Sequence, residues 1–248
     1  MNARILGATL ALALGSASAQ AADAINWTGF YAGVNAGYGF GGDPNVHTVG
    51  QAAPNIANIA GGARPGFVSL DRKGAIGGLQ AGYNFQSDRL LIGGVVDVSY
   101  TDLSDKRNIG TVALNGVDHL NNRFESKLDY LGTARIRVGY AGDRFLVYLT
   151  GGFAWGKAKS DVDMFGAAGQ TQFSGHRDRT RTGGVGGIGG EYALTEHLTI
   201  DGELLRYSLG TDKVNVAVIP GSGGAGTGYD SRFKHDGSIA RVGLNYKF

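Results

Sequence analysis

None of the 248 residues is a cysteine, so neither disulfides nor thiolate metal sites hold this chain together. Proline is nearly as scarce, with four residues, which leaves long stretches free to form uninterrupted hydrogen-bonded ladders. Charge of either sign is not in excess. Removing Arg4 with the leader described below leaves 22 basic residues, one fewer than the 23 of the whole chain, against 21 acidic. That balance provides no electrostatic footprint for nucleic acid. Beyond the leader no run approaches the roughly 20 apolar positions of a transmembrane helix, so any membrane crossing falls to strands.

Glycine is abundant instead, with 44 residues where the usual share of about 7% would give about 17. Many lie inside alternating segments rather than in turns. Glycine weakens a strand but lets a small barrel curve tightly. At the N-terminus, Arg4, an apolar run from Ile5 to Leu14 and the small-x-small triplet Ala19-Gln20-Ala21 have the order of a secretory signal peptide. The expected organisation is a cleaved signal over 1–21, with Ala17-Ser18-Ala19 as the alternative site, and one barrel domain over 22–248.

The last residues alternate strictly: Ala240, Val242, Leu244, Tyr246 and Phe248 on one face, Arg241, Gly243, Asn245 and Lys247 on the other. A period of two with unlike faces marks a strand between two solvents, and terminal aromatics suit the edge of a bilayer. Seven further segments behave in the same way: 28–40, 74–85, 90–100, 128–140, 145–157, 181–192 and 198–208, with the last at 233–248. The connections 86–89, 141–144 and 193–197 are short, whereas 41–72, 102–126, 158–180 and 209–232 are long, and the two kinds alternate. The expected fold is all-β, an eight-stranded antiparallel up-and-down transmembrane barrel with short periplasmic turns, four long extracellular loops and both termini in the periplasm. Two alternatives compete locally, a helix over 117–128 and a ten-strand count using 214–219; extension of a strand above the membrane is the simpler reading of the second.

Asp97, Asp129, Arg135, Arg137, Glu191, Asp201, Glu203 and Arg241 fall on inward registers of these strands. An eight-stranded interior is just wide enough for side chains to fill it. An isolated charge there costs several kcal/mol, so the eight are expected to pair into a plugged, structural lumen network. Arg177, Arg179 and Arg181, near the outer rim, are candidates for lipopolysaccharide phosphates, since guanidinium suits bidentate phosphate contact. A solvated loop edge is the competing reading.

Several motifs mislead. Gly184-Val185-Gly186-Gly187-Ile188-Gly189 spells a dinucleotide fingerprint, but that motif works only before a helix whose N-terminus holds pyrophosphate. Gly151 to Lys157 imitates a phosphate loop, yet Phe153 and Trp155 crowd it and Ala158 replaces the magnesium-binding hydroxyl. Ser174-Gly175-His176 suggests a hydrolytic pair without a third orienting residue. The five histidines, His47, His119, His176, His197 and His235, are scattered without metal-ligand spacing and read as solvated loop residues, although several on one rim, His47, His119 and His176 among them, can meet in space and ligate haem iron. Neither a catalytic residue nor a cofactor or metal site is assigned.

Trp27-Thr28-Gly29-Phe30-Tyr31-Ala32-Gly33 with Asn35-Ala36-Gly37-Tyr38-Gly39 resembles the opening strand of the alphaproteobacterial outer-membrane immunogenic proteins, small porin-like surface antigens. The resemblance continues through Gly82-Tyr83-Asn84, the segment from Leu131 to Tyr140, Glu191 to Thr195 and Gly243 to Phe248. It implies an eight-stranded barrel with surface-exposed loops and brings no shared catalytic residues; a few members bind haem. Tyr246 and Phe248 look like part of the signal read by the barrel-assembly machinery. The expected function is therefore non-enzymatic, in envelope integrity and surface interaction, with outer-membrane lipid and lipopolysaccharide as surroundings. A narrow path for small solutes is the alternative and haem capture stands behind it.

Overall fold

The computed structural model describes residues 25–41 and 45–248; the signal peptide expected over 1–21 lies outside them. The described chain forms β1 (Gly29–Phe40), β2 (Asn45–Gly50), α1 (Ala53–Ala60), β3 (Phe67–Ser69), β4 (Gly74–Ser87), β5 (Leu90–Val112), β6 (His119–Ala141), β7 (Phe145–Phe165), β8 (Thr171–Ala193), β9 (Leu198–Val218) and β10 (Gly228–Lys247). Eight strands run antiparallel in the order β1-β4-β5-β6-β7-β8-β9-β10, and β1 closes on β10 from Tyr31↔Lys247 to Phe40↔Ser238. Closure removes the sheet edges, as hydrocarbon requires.

The first long connection adds two short strands to the eight of the ring. β1 ends opposite Ser238, and above that point β2 takes over the edge of β10, pairing Val46↔Phe233 to Gly50↔Tyr229, with β3 on its far side. The other three long connections are not loops for most of their length. β5, β6, β7, β8, β9 and β10 continue well past the membrane span, leaving only tight tips at 113–118, 166–170 and 219–227. The 214–219 segment extends β9, and 119–128 is strand instead of helix.

The outward register is apolar. Phe30, Val34, Leu79, Val96, Val98, Ile136, Leu149, Leu204, Val242 and Leu244 are all exposed on the wall. Aromatic side chains gather at the short-turn end, where Phe30 packs edge-on against Tyr83 at 4.6 Å and Tyr246 meets Phe248 at 5.3 Å between ring centres. Tyr38, Phe40, Tyr100 and Phe153 mark the other border of the band. The turn between β4 and β5 is tight enough to put Asp88 at φ 52°, a conformation that aspartate tolerates better than most side chains.

The N-terminal segment before β1 was not legible as a structural part. It folds across the short-turn mouth: Ile25 donates its amide to the Asp143 carbonyl at 2.9 Å, and Trp27 donates its amide to Gln86 Oε1 at 2.8 Å. Ile25 and Trp27 pack with Leu91, Ala141, Leu146, Tyr148 and Ala193 into an apolar stopper.

Gly37 sits at the closing seam, where a Cβ would collide with the Ala240 carbonyl and lie 2.7 Å from the Arg241 Cα. Gly202, by contrast, has open space where a Cβ would go. Gly37→Val is therefore expected to destabilise the ring by about 1–3 kcal/mol, and Gly202→Ala to leave it unchanged. Boiled and unboiled samples on a detergent gel check this: the folded, shifted band should fade in urea earlier for the first variant alone.

Candidate functional site

The lumen of the membrane span is a polar layer packed between apolar ones. At its centre Arg135 reaches across the barrel, with Nη2 3.0 Å from Asp97 Oδ2 and Nη1 3.0 Å from Glu203 Oε1. Arg241 bridges the same two carboxylates from the opposite wall, at 3.0 Å to Asp97 Oδ1 and 2.6 Å to Glu203 Oε2. Two guanidiniums and two carboxylates thus form a closed square joining β5, β6, β9 and β10. Tyr148 donates its hydroxyl to Glu203 at 3.0 Å, and Thr133 donates to Asp97. All four charged side chains are almost wholly buried.

Nearer the short turns a second group forms. Arg137 Nη1 is 3.2 Å from Glu191 Oε2, its Nε donates to Asn84 at 2.9 Å, and its guanidinium lies over the rings of Tyr31 at 4.5 Å and Tyr148 at 5.1 Å. Asp201 has no guanidinium partner among the described residues; it accepts hydrogen bonds from Gln80 Nε2 at 3.0 Å and Asn245 Nδ2 at 2.8 Å. Gln80 also donates to Asn245 Oδ1 and accepts from Asn35, and Asn245 donates to Glu191 Oε1 at 3.3 Å, so amides tie Asp201 to the Arg137 group, while Tyr148 touches both that group and the square. Above the square, Ile76, Leu103, Leu131, Val185, Leu205 and Ile239 close the lumen with an apolar layer.

Seven of the eight residues expected inside are there together, and Asp129 is not. The ladder with β7 slips at a bulge between Leu128 and Leu131, and the ladder with β5 slips beside it, between Tyr100 and Leu103. One extra residue reverses the facing of everything beyond it. Below the bulge Thr133, Arg135 and Arg137 point inward; above it Leu128, Ser126 and Phe124 do. Asp129 therefore stands on the outer wall, 2.8 Å from Lys159 Nζ and 4.0 Å from Lys127 Nζ. Leu128, which uninterrupted alternation over 128–140 would put on the lipid face with Ile136 and Val138, is fully buried for the same reason.

Arg177, Arg179 and Arg181 lie within β8 on the register of the buried Phe173, Gly175 and Val185, not on a loop rim. Two of them reach one buried carboxylate, Asp212: Arg181 forms a close ion pair and Arg177 Nε is 3.8 Å away. The triplet is thus turned toward the barrel instead of outward to lipopolysaccharide. Residues 184–189 are consecutive positions of β8 and 151–157 of β7, with no helix following either. The Ser174 hydroxyl donates to Asp163 at 2.7 Å and His176 pairs with Asp161, so the two do not form a couple. His47, His119 and His176 stand on β2, β6 and β8, none of which are neighbours in the sheet. Among the described residues no cluster of three or more His, Cys, Asp or Glu side chains has metal-holding geometry.

A family model described as an outer membrane protein beta-barrel domain matches residues 9–248. The 31 kDa outer-membrane immunogenic protein of Brucella melitensis biotype 1 is 34% identical over 235 residues, covering 93% of this chain and 88% of that protein. The 25 kDa outer-membrane immunogenic protein of Brucella abortus biovar 1 is 27% identical over 232 residues, covering 94% and 84%. Among solved structures, the outer membrane protein OprG of Pseudomonas aeruginosa superposes with a TM-score of 0.56 at 15% identity, covering 91% of this chain and 98% of that one. The outer membrane protease OmpT of Escherichia coli reaches 0.50 at 8% identity, covering 90% and 98%. At those identities the two structures share the fold and carry nothing about chemistry. With an apolar wall, aromatic borders and a closed ring, the chain belongs to the outer membrane protein beta-barrel domain family and is an outer-membrane β-barrel related to the Brucella immunogenic proteins.

Proposed function

We propose that this protein is a non-enzymatic structural barrel of the outer membrane whose lumen is plugged and whose extracellular strands form the surface of contact. The observation that carries the reading is the square of Arg135, Arg241, Asp97 and Glu203, which spans the barrel from wall to wall. Each side chain in it is already occupied by its partners, so none is free to act as acid, base or nucleophile. Its role is to tie four strands in register.

Outside, just beyond the aromatic border, Lys127, Lys157 and Lys159 alternate with Asp129 and Asp178 on the outer face of β6, β7 and β8. This ladder is the outward-facing part assigned to lipopolysaccharide headgroups. Tyr246 and Phe248 are assigned to recognition by the barrel-assembly machinery, because the Phe248 ring is exposed while its amide is already held by the Phe30 carbonyl at 3.0 Å.

Glu203→Gln leaves Arg135 and Arg241 with a buried excess of positive charge and is expected to cost about 3–5 kcal/mol. The urea midpoint of the folded gel band reads this. In planar bilayers the protein is expected to show no nanosiemens steps; steps of that size would overturn the plugged lumen and favour passage of small solutes. Phe248→Ala should lower the amount of protein reaching the outer membrane severalfold while leaving refolding in detergent intact, as membrane fractionation and refolding assays would resolve.

A further inference from the structure

In the extracellular half, β8 and β9 are paired at 173–174 opposite 217–218 and again at 184–193 opposite 199–208, but not between. Neither strand is frayed there, since β7 remains paired with β8 and β9 with β10. The backbone ladder is therefore interrupted along one slot, bounded where β8 meets β9 at Gly175 and Gly183 and crossed by Arg181, whose Nη2 donates to the Thr211 carbonyl at 3.0 Å. Arg177, Arg179 and Arg181 occupy the inward register of β8 beside it, yet Arg179 is exposed and the other two are only half-buried, so water reaches them through the gap.

Behind the slot lies a buried cluster with too few acceptors. His235, at the β10 irregularity, is fully buried, with Nδ1 3.1 Å from Arg72 Nη1 and Nε2 3.5 Å from Asp212 Oδ2. Arg72, 3% exposed, otherwise donates only to the Asp236 backbone carbonyl at 3.2 Å. The Asp236 carboxylate is engaged by Lys234 at 2.9 Å and Ser208 at 2.7 Å. Among the described residues Arg177 and Arg181 thus share one carboxylate, Asp212, and Arg72 has no ion-pair partner. Arg72 Nε, Arg181 Nε and His235 Nε2 are buried without a hydrogen-bond partner. Because the ring nitrogen facing Arg72 accepts, the imidazole carries its proton on Nε2. Burial, with Arg72 and Arg181 nearby, holds His235 down to about 3, so it is a neutral donor at pH 7.

Water would satisfy donors but would leave the guanidinium charge uncompensated in a buried place. A tetrahedral oxyanion does both, and guanidinium forks match it. We propose that the Arg72, His235 and Arg181 cluster is a binding site for a phosphate group, entered from the side through the slot between β8 and β9. The same chemistry is carried by free phosphate and by the phosphorylated sugars of the outer leaflet.

The test is calorimetric titration of inorganic phosphate into the full mature protein, in zwitterionic micelles free of lipopolysaccharide. Saturable uptake of one equivalent is expected, at least tenfold weaker in Arg72→Met and in Arg181→Gln and unchanged in Lys106→Gln on the outer face of β5. The shifted gel band verifies folding of each variant; if Arg72→Met does not fold, Arg181→Gln carries the test. No saturable uptake by the wild type, as for a pocket that holds water only, overturns the proposal, as does uptake undiminished in the folded arginine variants. Competition by purified lipopolysaccharide identifies a headgroup as the source, and phosphate retained against it identifies the free anion.

Discussion

Inside hydrocarbon no amide can be left to water, and the pairing of β1 with β10 is what meets that demand for the last open edge. Everything else in the span depends on this closure. It fixes a ring of eight strands, which fixes a narrow interior, which must then be filled with side chains. The close approach at Gly37 is where the sequence makes room for it.

The contents of that interior decide specificity more than stability. Buried ion pairs return little net free energy after desolvation, but they penalise misalignment heavily. A slip of one residue in β6 would turn Arg135 and Arg137 toward lipid and bring Ile136 and Val138 into the square. Complementary charge on β5, β6, β9 and β10 therefore acts as a register lock. The apolar stopper of Ile25 and Trp27 below, and the layer around Leu205 and Ile239 above, keep water from competing with it.

Above the aromatic border the constraint relaxes because water can pair exposed amides. There the strands tolerate what the span does not: a bulge at Asp129, an irregularity at His235, a left-handed Gly210 at φ 79°, and an unpaired seam between β8 and β9. The same relaxation permits β2 and β3 to replace β1 along β10. Irregular backbone and the buried Arg72, which has no carboxylate partner among the described residues, occur together in this half.

The strands of the span were legible in the residues alone because lipid and lumen impose opposite chemistries on alternate positions, and a period of two survives in the sequence wherever both are present. That periodicity determined the eight-stranded ring, the lipid-facing set from Phe30 to Leu244, the short-turn rim and the inward facing of Asp97, Arg135, Arg137, Glu191, Asp201, Glu203 and Arg241. Past the membrane both faces of the wall are polar or mixed, the alternation loses contrast, and the long strand extensions read as loops. Asp129 was placed wrongly because a bulge changes facing without any mark in local composition. Which guanidinium meets which carboxylate, the Ile25 and Trp27 stopper, and the gathering of Arg72, His235 and Asp212 were decided only by tertiary structure, since these contacts join residues far apart in the chain across a closed ring whose shear no single segment encodes.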